Sequence, residues 1–142
     1  MGRSKRIKLL VELAERDVEK AQLTLKDIRT NLSFTEQQLS DLKKYRNEYM
    51  AKLTTSGHML PIQLQTTQAF ISKLNIAIEG QQAQVKSMEE MLDKAQQQWM
   101  EKKLRLQALD KVYQNLVRKE YSQAEKIEQK MLDELASQNF KR

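Results

Sequence analysis

The sequence predicts an all-α protein, a long antiparallel two-helix coiled coil folded as a hairpin with a C-terminal helical overhang. Its 142 residues include only three Gly and one Pro, too few turn-forming residues for a fold built from many short strands. Apolar residues repeat every seven positions along two long stretches, as in a coiled-coil seam. One cluster of helix breakers separates them. We predict a single domain, 1–142, with a helix over 4–54, a turn over 55–61 and a helix over 62–138.

The first predicted helix carries its apolar side chains in alternating steps of four and three residues. Twelve of the fourteen positions in this stripe are apolar, and the exceptions are Thr35 and Arg46. The stripe consists of Ile7, Val11, Ala14, Val18, Ala21, Leu25, Ile28, Leu32, Thr35, Leu39, Leu42, Arg46, Tyr49 and Leu53. A repeat held over this length indicates a seam that packs against another helix.

The turn lies within residues 54–61, which contain Gly57 and Pro61. Glycine is favoured in the left-handed conformation just after a helix end, and proline in the first turn of a new helix. A connection this short places the two helices side by side and antiparallel. His58 also lies in the turn, among small residues, and we expect it to be inert.

The second predicted helix repeats the pattern, again with twelve apolar residues among fourteen stripe positions. This stripe consists of Ile71, Leu74, Ile78, Gln81, Val85, Met88, Leu92, Ala95, Trp99, Lys102, Leu106, Leu109, Tyr113 and Leu116. Gly80 falls inside this helix but off the stripe, where an isolated glycine weakens a helix without ending it.

The two stripes suggest their own register. If facing residues have numbers that add up to 120, Ala21 faces Trp99 and Ala95 faces Leu25. Each small seam residue then lies opposite a large one, as close packing requires.

In this register the second helix extends beyond the N-terminus of the first, so the chain beyond about residue 118 has no helical partner. Its apolar residues continue with altered phase, as a coiled-coil stutter produces: Val117, Tyr121, Ala124, Ile127, Met131 and Leu135. An apolar face that the hairpin leaves uncovered indicates another partner. Fraying of the terminus is the alternative.

Composition argues against catalysis. The chain has no Cys and one His, and it shows no phosphate-binding loop, nucleophile motif or metal-ligand spacing. We therefore expect no enzyme activity, no cofactor and no metal site. The sequence also has no long apolar segment of the kind that spans a membrane or directs secretion. We expect a soluble cytoplasmic protein.

Positive charge is concentrated at the end opposite the turn. The net charge is +6, while residues 1–10 and 101–119 each contribute +4. The register places these two segments side by side, so this end would be steered toward an acidic or polar-lined cavity. A solubilising surface is the alternative. Acids are interspersed on the remaining surface, which does not favour nucleic acid as a partner.

An aromatic-rich strip flanks the seam near the turn, and we call it the aromatic ribbon. Its members from the two helices face each other with numbers that add up to 119. They are Gln38, Leu42, Tyr45, Tyr49, Phe70, Leu74, Ala77 and Gln81. Exposed Tyr and Phe are enriched at binding hot spots, which favours a binding surface. Alternatively, these side chains only widen the core.

Several segments, in their order and spacing, resemble the flagellar type III export protein family FliJ. The resemblance covers nearly the whole chain and is carried by LAERDVE at 13–19, YRNEY at 45–49, QAFI at 68–71, WMEKK at 99–103, RLQAL at 105–109, and EQK at 128–130 followed by Asp133 and Glu134.

The resemblance implies a non-catalytic component of the flagellar export apparatus, cytoplasmic and peripheral at the inner membrane through its partners. Those partners would be the hexameric export ATPase FliI, the export-gate protein FlhA and export chaperones. The family places gate binding on the surface that corresponds to the aromatic ribbon. The ATPase ring would meet the end that holds both termini, with these contact candidates: Arg3, Lys5, Arg6, Lys8, Arg118, Lys119, Tyr121, Ile127, Met131 and Leu135.

Three other interpretations stay open at this point. A stalk protein of a virulence-type secretion system has the same architecture. A coiled-coil chaperone or scaffold would use a hairpin in a multimeric body. A nucleic-acid binder would use the basic end. The protein itself is expected to be a monomer or a weakly self-associating species, because a two-helix hairpin buries little surface.

Overall fold

A computed structural model describes residues 2–55, 57 and 59–140 of the chain. They form two helices, α1 over Gly2–Thr55 and α2 over Pro61–Phe140, and these described residues contain no strand. The predicted all-α fold, a helical hairpin with a C-terminal overhang, is confirmed. Each helix extends one or two residues further at both ends than the sequence predicts.

The C-terminus of α1 is stabilised by threonine hydroxyls. Thr54 and Thr55 both donate from Oγ1 to the carbonyl oxygen of Ala51, at 2.9 and 2.8 Å. Gly57 was expected in the left-handed conformation, but no described glycine has a positive φ, so this prediction is wrong. A last-turn carbonyl that already accepts two hydroxyls has less need of a left-handed cap. His58, expected to be inert, lies outside the described residues.

The N-terminus of α2 begins at Pro61, whose missing N–H costs nothing in a first turn. Leu60 precedes it, and the Leu60 carbonyl accepts the amide of Leu64 at 3.0 Å. The Gln63 side chain reaches back and accepts the Leu60 amide through Oε1 at 3.3 Å. This is the glutamine half of a capping box.

The chain divides into two compact units, which sequence analysis does not separate. We call Met1–Ala21 with Gln98–Arg142 the terminal unit, and Gln22–Gln97 the turn unit. Each unit contains a segment of α1 paired with a segment of α2.

The turn unit pairs its two helices in the predicted register. Tyr49 and Phe70 are in ring contact, and Gln38 is hydrogen-bonded to Gln81; both pairs have numbers that add up to 119. Arg46, a basic residue of the predicted seam, donates from Nη1 to Oδ1 of Asn75 at 3.2 Å. The most buried seam side chains of this unit are Leu25, Leu32, Thr35, Leu74, Ile78 and Ala95.

The terminal unit has a seam of its own, which ends in a polar contact. Val11 and Ala14 are buried. One heptad before Val11, Ser4 is buried too, and its Oγ donates to Oε2 of Glu120 at 2.8 Å. Beyond Glu120, every residue over 121–139 is exposed. The overhang therefore begins where α1 no longer supplies a neighbour.

Candidate interaction surfaces

The aromatic ribbon of the turn unit is centred on three rings in mutual contact. Tyr45 and Tyr49, one helical turn apart on α1, have ring centroids separated by 5.1 Å. Phe70 of α2 lies 4.8 Å from the Tyr49 ring and 6.1 Å from the Tyr45 ring. These distances lie in the range for favourable edge and tilted aromatic packing. The rings therefore hold one another in place.

The other half of the ribbon is polar and linked across the helix pair. Nε2 of Gln81 donates to Oε1 of Gln38 at 3.0 Å and to the carbonyl oxygen of Thr35 at 3.4 Å. Beside this link is an open depression of about 420 Å³, lined by Gln38, Asp41, Leu42, Tyr45 and Gln81. A depression that joins an apolar floor to amide and carboxylate groups is suited to hold a partner's side chain.

Exposure differs among the ribbon residues. Gln38, Tyr45 and Ala77 are exposed, with Tyr45 46% exposed. Leu74 is buried and belongs to the seam. The remaining four, Leu42, Tyr49, Phe70 and Gln81, are half-buried. The ribbon is therefore partly core and partly surface, and Tyr45 is its most accessible ring.

Two local interactions affect the ribbon's tyrosines. A side-chain hydrogen bond with Tyr49 raises the pKa of the Tyr45 hydroxyl above its ordinary value, and the nearby charge of Glu48 adds to this in the same direction. The ammonium group of Lys52 lies 5.0 Å from the centre of the Tyr49 ring, a cation–π distance.

The terminal unit presents a different surface, and all ten predicted ATPase-ring residues are exposed on it. A groove of about 420 Å³ runs between the start of α1 and α2 and is lined by Gly2, Arg3, Arg6, Leu116, Lys119, Glu120 and Gln123. The overhang exposes its apolar side chains, with Tyr121 67%, Ile127 62%, Met131 61% and Leu135 58% accessible.

Within the terminal unit, Trp99 belongs to the seam. Its ring is half-buried, and its Nε1 is buried with no hydrogen-bond partner among the described residues. The ammonium group of Lys103 lies 4.9 Å from the ring centre. An indole packed in this way contributes area to the seam rather than a polar contact.

Three residues at these surfaces were missed by sequence reasoning. Asp41 lines the ribbon depression, and Ser4 with Glu120 closes the seam. The heptad pattern contained a signal for two of them, Ser4 and Asp41. Ser4 lies seven residues before Val11, and Asp41 is within one helical turn of both Gln38 and Tyr45. Their hydrogen bonds and shape, however, depend on side-chain rotamers that periodicity does not specify.

Among the described residues, no group of three or more His, Cys, Asp or Glu is arranged to hold a metal ion. The helices that they form also include no segment long and apolar enough to cross a membrane.

The fold defines a two-helix coiled-coil protein whose two units expose chemically different surfaces. Comparison with known proteins then gives the family, because the family model described as "Flagellar FliJ protein" matches residues 4–142. Flagellar FliJ protein of Salmonella typhi is 31% identical over 132 residues, covering 92% of this chain and 90% of the relative. That of Escherichia coli (strain K12) is 32% identical over 129 residues, covering 89% and 88%.

A third relative, Flagellar FliJ protein of Buchnera aphidicola subsp. Schizaphis graminum, is 25% identical over 130 residues, covering 90% of this chain and 86% of the relative. The chain belongs to the FliJ family and is a component of flagellar protein export. This agrees with the resemblance drawn from the sequence.

Proposed function

We propose that this chain is a non-enzymatic coupling component of the flagellar export apparatus, which binds the export ATPase FliI, the export-gate protein FlhA and export chaperones. The observation that carries the proposal is the presence of two chemically distinct exposed surfaces on a chain of the FliJ family. In this role the protein works in the cytoplasm and reaches the inner membrane only through its partners.

The gate protein is assigned to the aromatic ribbon. Tyr45 offers an exposed ring whose position is set by Tyr49 and Phe70. A side chain held by its neighbours loses little conformational entropy when a partner binds. Aromatic residues of this kind carry much of the binding free energy at protein interfaces.

The ATPase ring is assigned to the terminal unit. Its exposed arginines and lysines would be attracted to an acidic or polar cavity, and the apolar side chains of the overhang would be covered inside it. Binding at this end would favour some ring conformations over others, which is how a protein without nucleotide chemistry affects an ATPase. Export chaperones are a further proposed partner, for which we assign no residues.

The ribbon is tested by measuring binding of the purified gate protein to Tyr45→Ala. Tyr45 is exposed, so its removal leaves the seam intact, and we expect gate affinity to fall by at least about tenfold. A matched control replaces Phe34, an aromatic residue of the same unit that is 65% exposed and lies off the ribbon. Phe34→Ala should bind the gate as the wild type does. Equal affinities for both variants would remove the ribbon assignment.

A pull-down from native lysate tests the wider proposal against its rivals. Recovery of the flagellar gate and ATPase supports it, and recovery of a virulence-type gate instead would transfer the same role to that secretion system. Recovery of neither, with nucleic acid retained in a salt-dependent way, would contradict it.

A further inference from the structure

The terminal unit carries two complementary helical faces, one on α1 and one on the overhang. On α1, Arg3, Arg6, Leu10 and Leu13 are exposed and follow steps of three, four and three residues. These steps place them on one side of the helix. Leu9, which is 61% exposed, adjoins the two leucines.

The overhang repeats this spacing with opposite charge. Glu125, Glu128, Leu132 and Leu135 are exposed and also follow steps of three, four and three residues. Met131, 61% exposed, adjoins the leucines as Leu9 does on α1. Each face therefore consists of two like charges followed by an apolar patch, with the signs reversed.

We propose that the overhang of one copy docks on the start of α1 of a second copy, and that the exchange is reciprocal. In this pairing Glu125 and Glu128 lie opposite the other copy's Arg3 and Arg6. Leu132 and Leu135 then cover its Leu10 and Leu13. A constant offset of 122 in residue number satisfies all four contacts at once.

The direction of the helices agrees with this pairing. In the terminal unit α2 runs antiparallel to α1, so the overhang of one copy continues past the N-terminus of its own α1 and away from Ala21. If the two copies are related by a two-fold axis perpendicular to the helices, α1 of the second copy runs parallel to that overhang. The two acidic residues then meet the two arginines in order, and the leucines meet the leucines. Both copies make the same contact, as a two-fold interface requires.

Charge selects this occupant over other arrangements of two copies. Residues 120–142 hold five carboxylates and four basic residues, a net charge of −1, and Glu125 and Glu128 lie on the docking face itself, whereas residues 1–10 carry +4. Pairing two overhangs through this face would bring Glu125 and Glu128 of both copies together, which is unfavourable. Folding back onto the chain's own α1 is prevented because α2 is helical without interruption to Phe140.

Charge reversal in two variants tests the proposal. Arg3→Glu/Arg6→Glu places Glu opposite Glu in both contacts of a dimer, and Glu125→Arg/Glu128→Arg places Arg opposite Arg. Each variant alone should self-associate at least about tenfold more weakly than the wild type in analytical ultracentrifugation. An equimolar mixture should regain the wild-type affinity, because the mixed dimer has one native contact and one with both charges reversed.

Lys26→Glu/Arg29→Glu is the matched control, since it reverses two exposed basic residues three apart on α1 within the turn unit. It should self-associate as the wild type does. Circular dichroism checks that all variants keep their helicity.

Disulfide formation tests the register directly, because the chain has no cysteine of its own. A mixture of Leu10→Cys and Leu132→Cys proteins should give the mixed disulfide dimer in preference to either homodimer. Leu23→Cys, at a leucine that is 61% exposed in the turn unit, should not crosslink with Leu132→Cys above the level of random collision.

The proposal is overturned if the wild-type protein keeps the 16.7 kDa mass of one chain throughout a concentration series. It is also overturned if the mixed charge variants fail to recover, or if Leu132→Cys reacts equally with Leu10→Cys and Leu23→Cys. A dimer that forms through the overhangs alone, unaffected by Arg3→Glu/Arg6→Glu, would contradict it as well.

If the terminal unit binds the ATPase ring, as proposed above, formation of the dimer also regulates that binding. It covers Arg3, Arg6, Met131 and Leu135, which we assign to the ATPase ring, so self-association and ring binding exclude each other. Adding the ring should dissociate the dimer. A dimer that persists on a bound ring would overturn the terminal ring contact, whereas the ultracentrifugation result without ATPase decides the dimer itself.

Discussion

The turn unit and the terminal unit share one type of seam but present their side chains differently. The ribbon is built from two paired helices, where the Tyr49 and Phe70 rings touch and Gln81 bonds to Gln38. Over 121–139 the overhang is a single helix with every described side chain exposed. The ribbon is fixed by contacts within its own unit, whereas the overhang is exposed along its whole described length.

The two surfaces are expected to differ in how much conformational entropy they lose when a partner binds. A surface fixed by its own contacts pays little ordering entropy on binding. An isolated helix in water is held mainly by its own backbone hydrogen bonds and is marginal, so a partner that covers its apolar face stabilises it. We therefore expect substitutions in the ribbon to change affinity for one partner, and substitutions in the overhang to change both affinity and local helix stability.

The largest expected effect concerns the seams, in which the two units are alike. Trp99→Ala in the terminal unit should lower the free energy of unfolding by about 3 kcal/mol, because it removes a half-buried indole from the seam. Leu74→Ala in the turn unit, at a residue that is 8% exposed, should lower the free energy of unfolding by a similar amount. Urea unfolding followed by circular dichroism measures both. An unchanged midpoint for Trp99→Ala would show that its indole contributes nothing to the seam.

The next largest effect separates the units. Deletion of residues 121–142 keeps the Ser4–Glu120 hydrogen bond but removes the exposed apolar face. We expect ATPase-ring affinity to fall by at least about tenfold, with gate affinity unchanged. Titration of the truncated protein into each purified partner measures this. Unchanged ring binding and stimulation would place the ring contact elsewhere on the chain.

A smaller effect tests whether the ribbon is already formed before binding. Gly80 lies inside α2 in the turn unit, and a Cβ built there meets nothing within 4 Å. Gly80→Ala should therefore raise the free energy of unfolding by about 0.5–1 kcal/mol and leave gate affinity unchanged. A large rise in gate affinity would show instead that the ribbon has to become ordered when the gate binds.

The smallest expected effect is a change in the pH at which the Tyr45 hydroxyl ionises. The hydrogen bond with Tyr49 raises the pKa of Tyr45, so the protonated hydroxyl is the form favoured by folding. Its contribution to stability is complete below the ordinary tyrosine pKa and is lost as pH rises through the raised value. In ultraviolet titration, Tyr45→Phe should remove a late-ionising tyrosine, and Tyr49→Phe should move Tyr45 ionisation to lower pH. No movement would exclude the hydrogen bond as the cause.

The sequence predicts the helical hairpin because burial follows a simple period. Every predicted seam position is buried or half-buried, including the polar exceptions Thr35 and Arg46. The ribbon was also predictable as a set of facing residues, because register alone places Tyr49 beside Phe70. Its function in gate binding stays a prediction.

Other features could not be predicted in the same way. Gly57 was expected to be left-handed because glycine can adopt that conformation at low cost. It does not do so here, where the hydroxyls of Thr54 and Thr55 already donate to a carbonyl of the last helical turn. The depression beside Asp41 depends on side-chain conformation. The separation into two units depends on how contacts are distributed along the two helices, and a uniform heptad repeat does not predict that distribution.

The central claim is that the two units bind different partners through different surfaces. Its most direct test is the affinity of Tyr45→Ala/Phe70→Ala for both the gate protein and the ATPase ring, measured by calorimetry beside the wild type. We predict that gate affinity falls by at least about tenfold while ring affinity and helicity stay at wild-type values. Equal losses toward both partners, or a loss of helicity that accounts for the weaker gate binding, would contradict the claim.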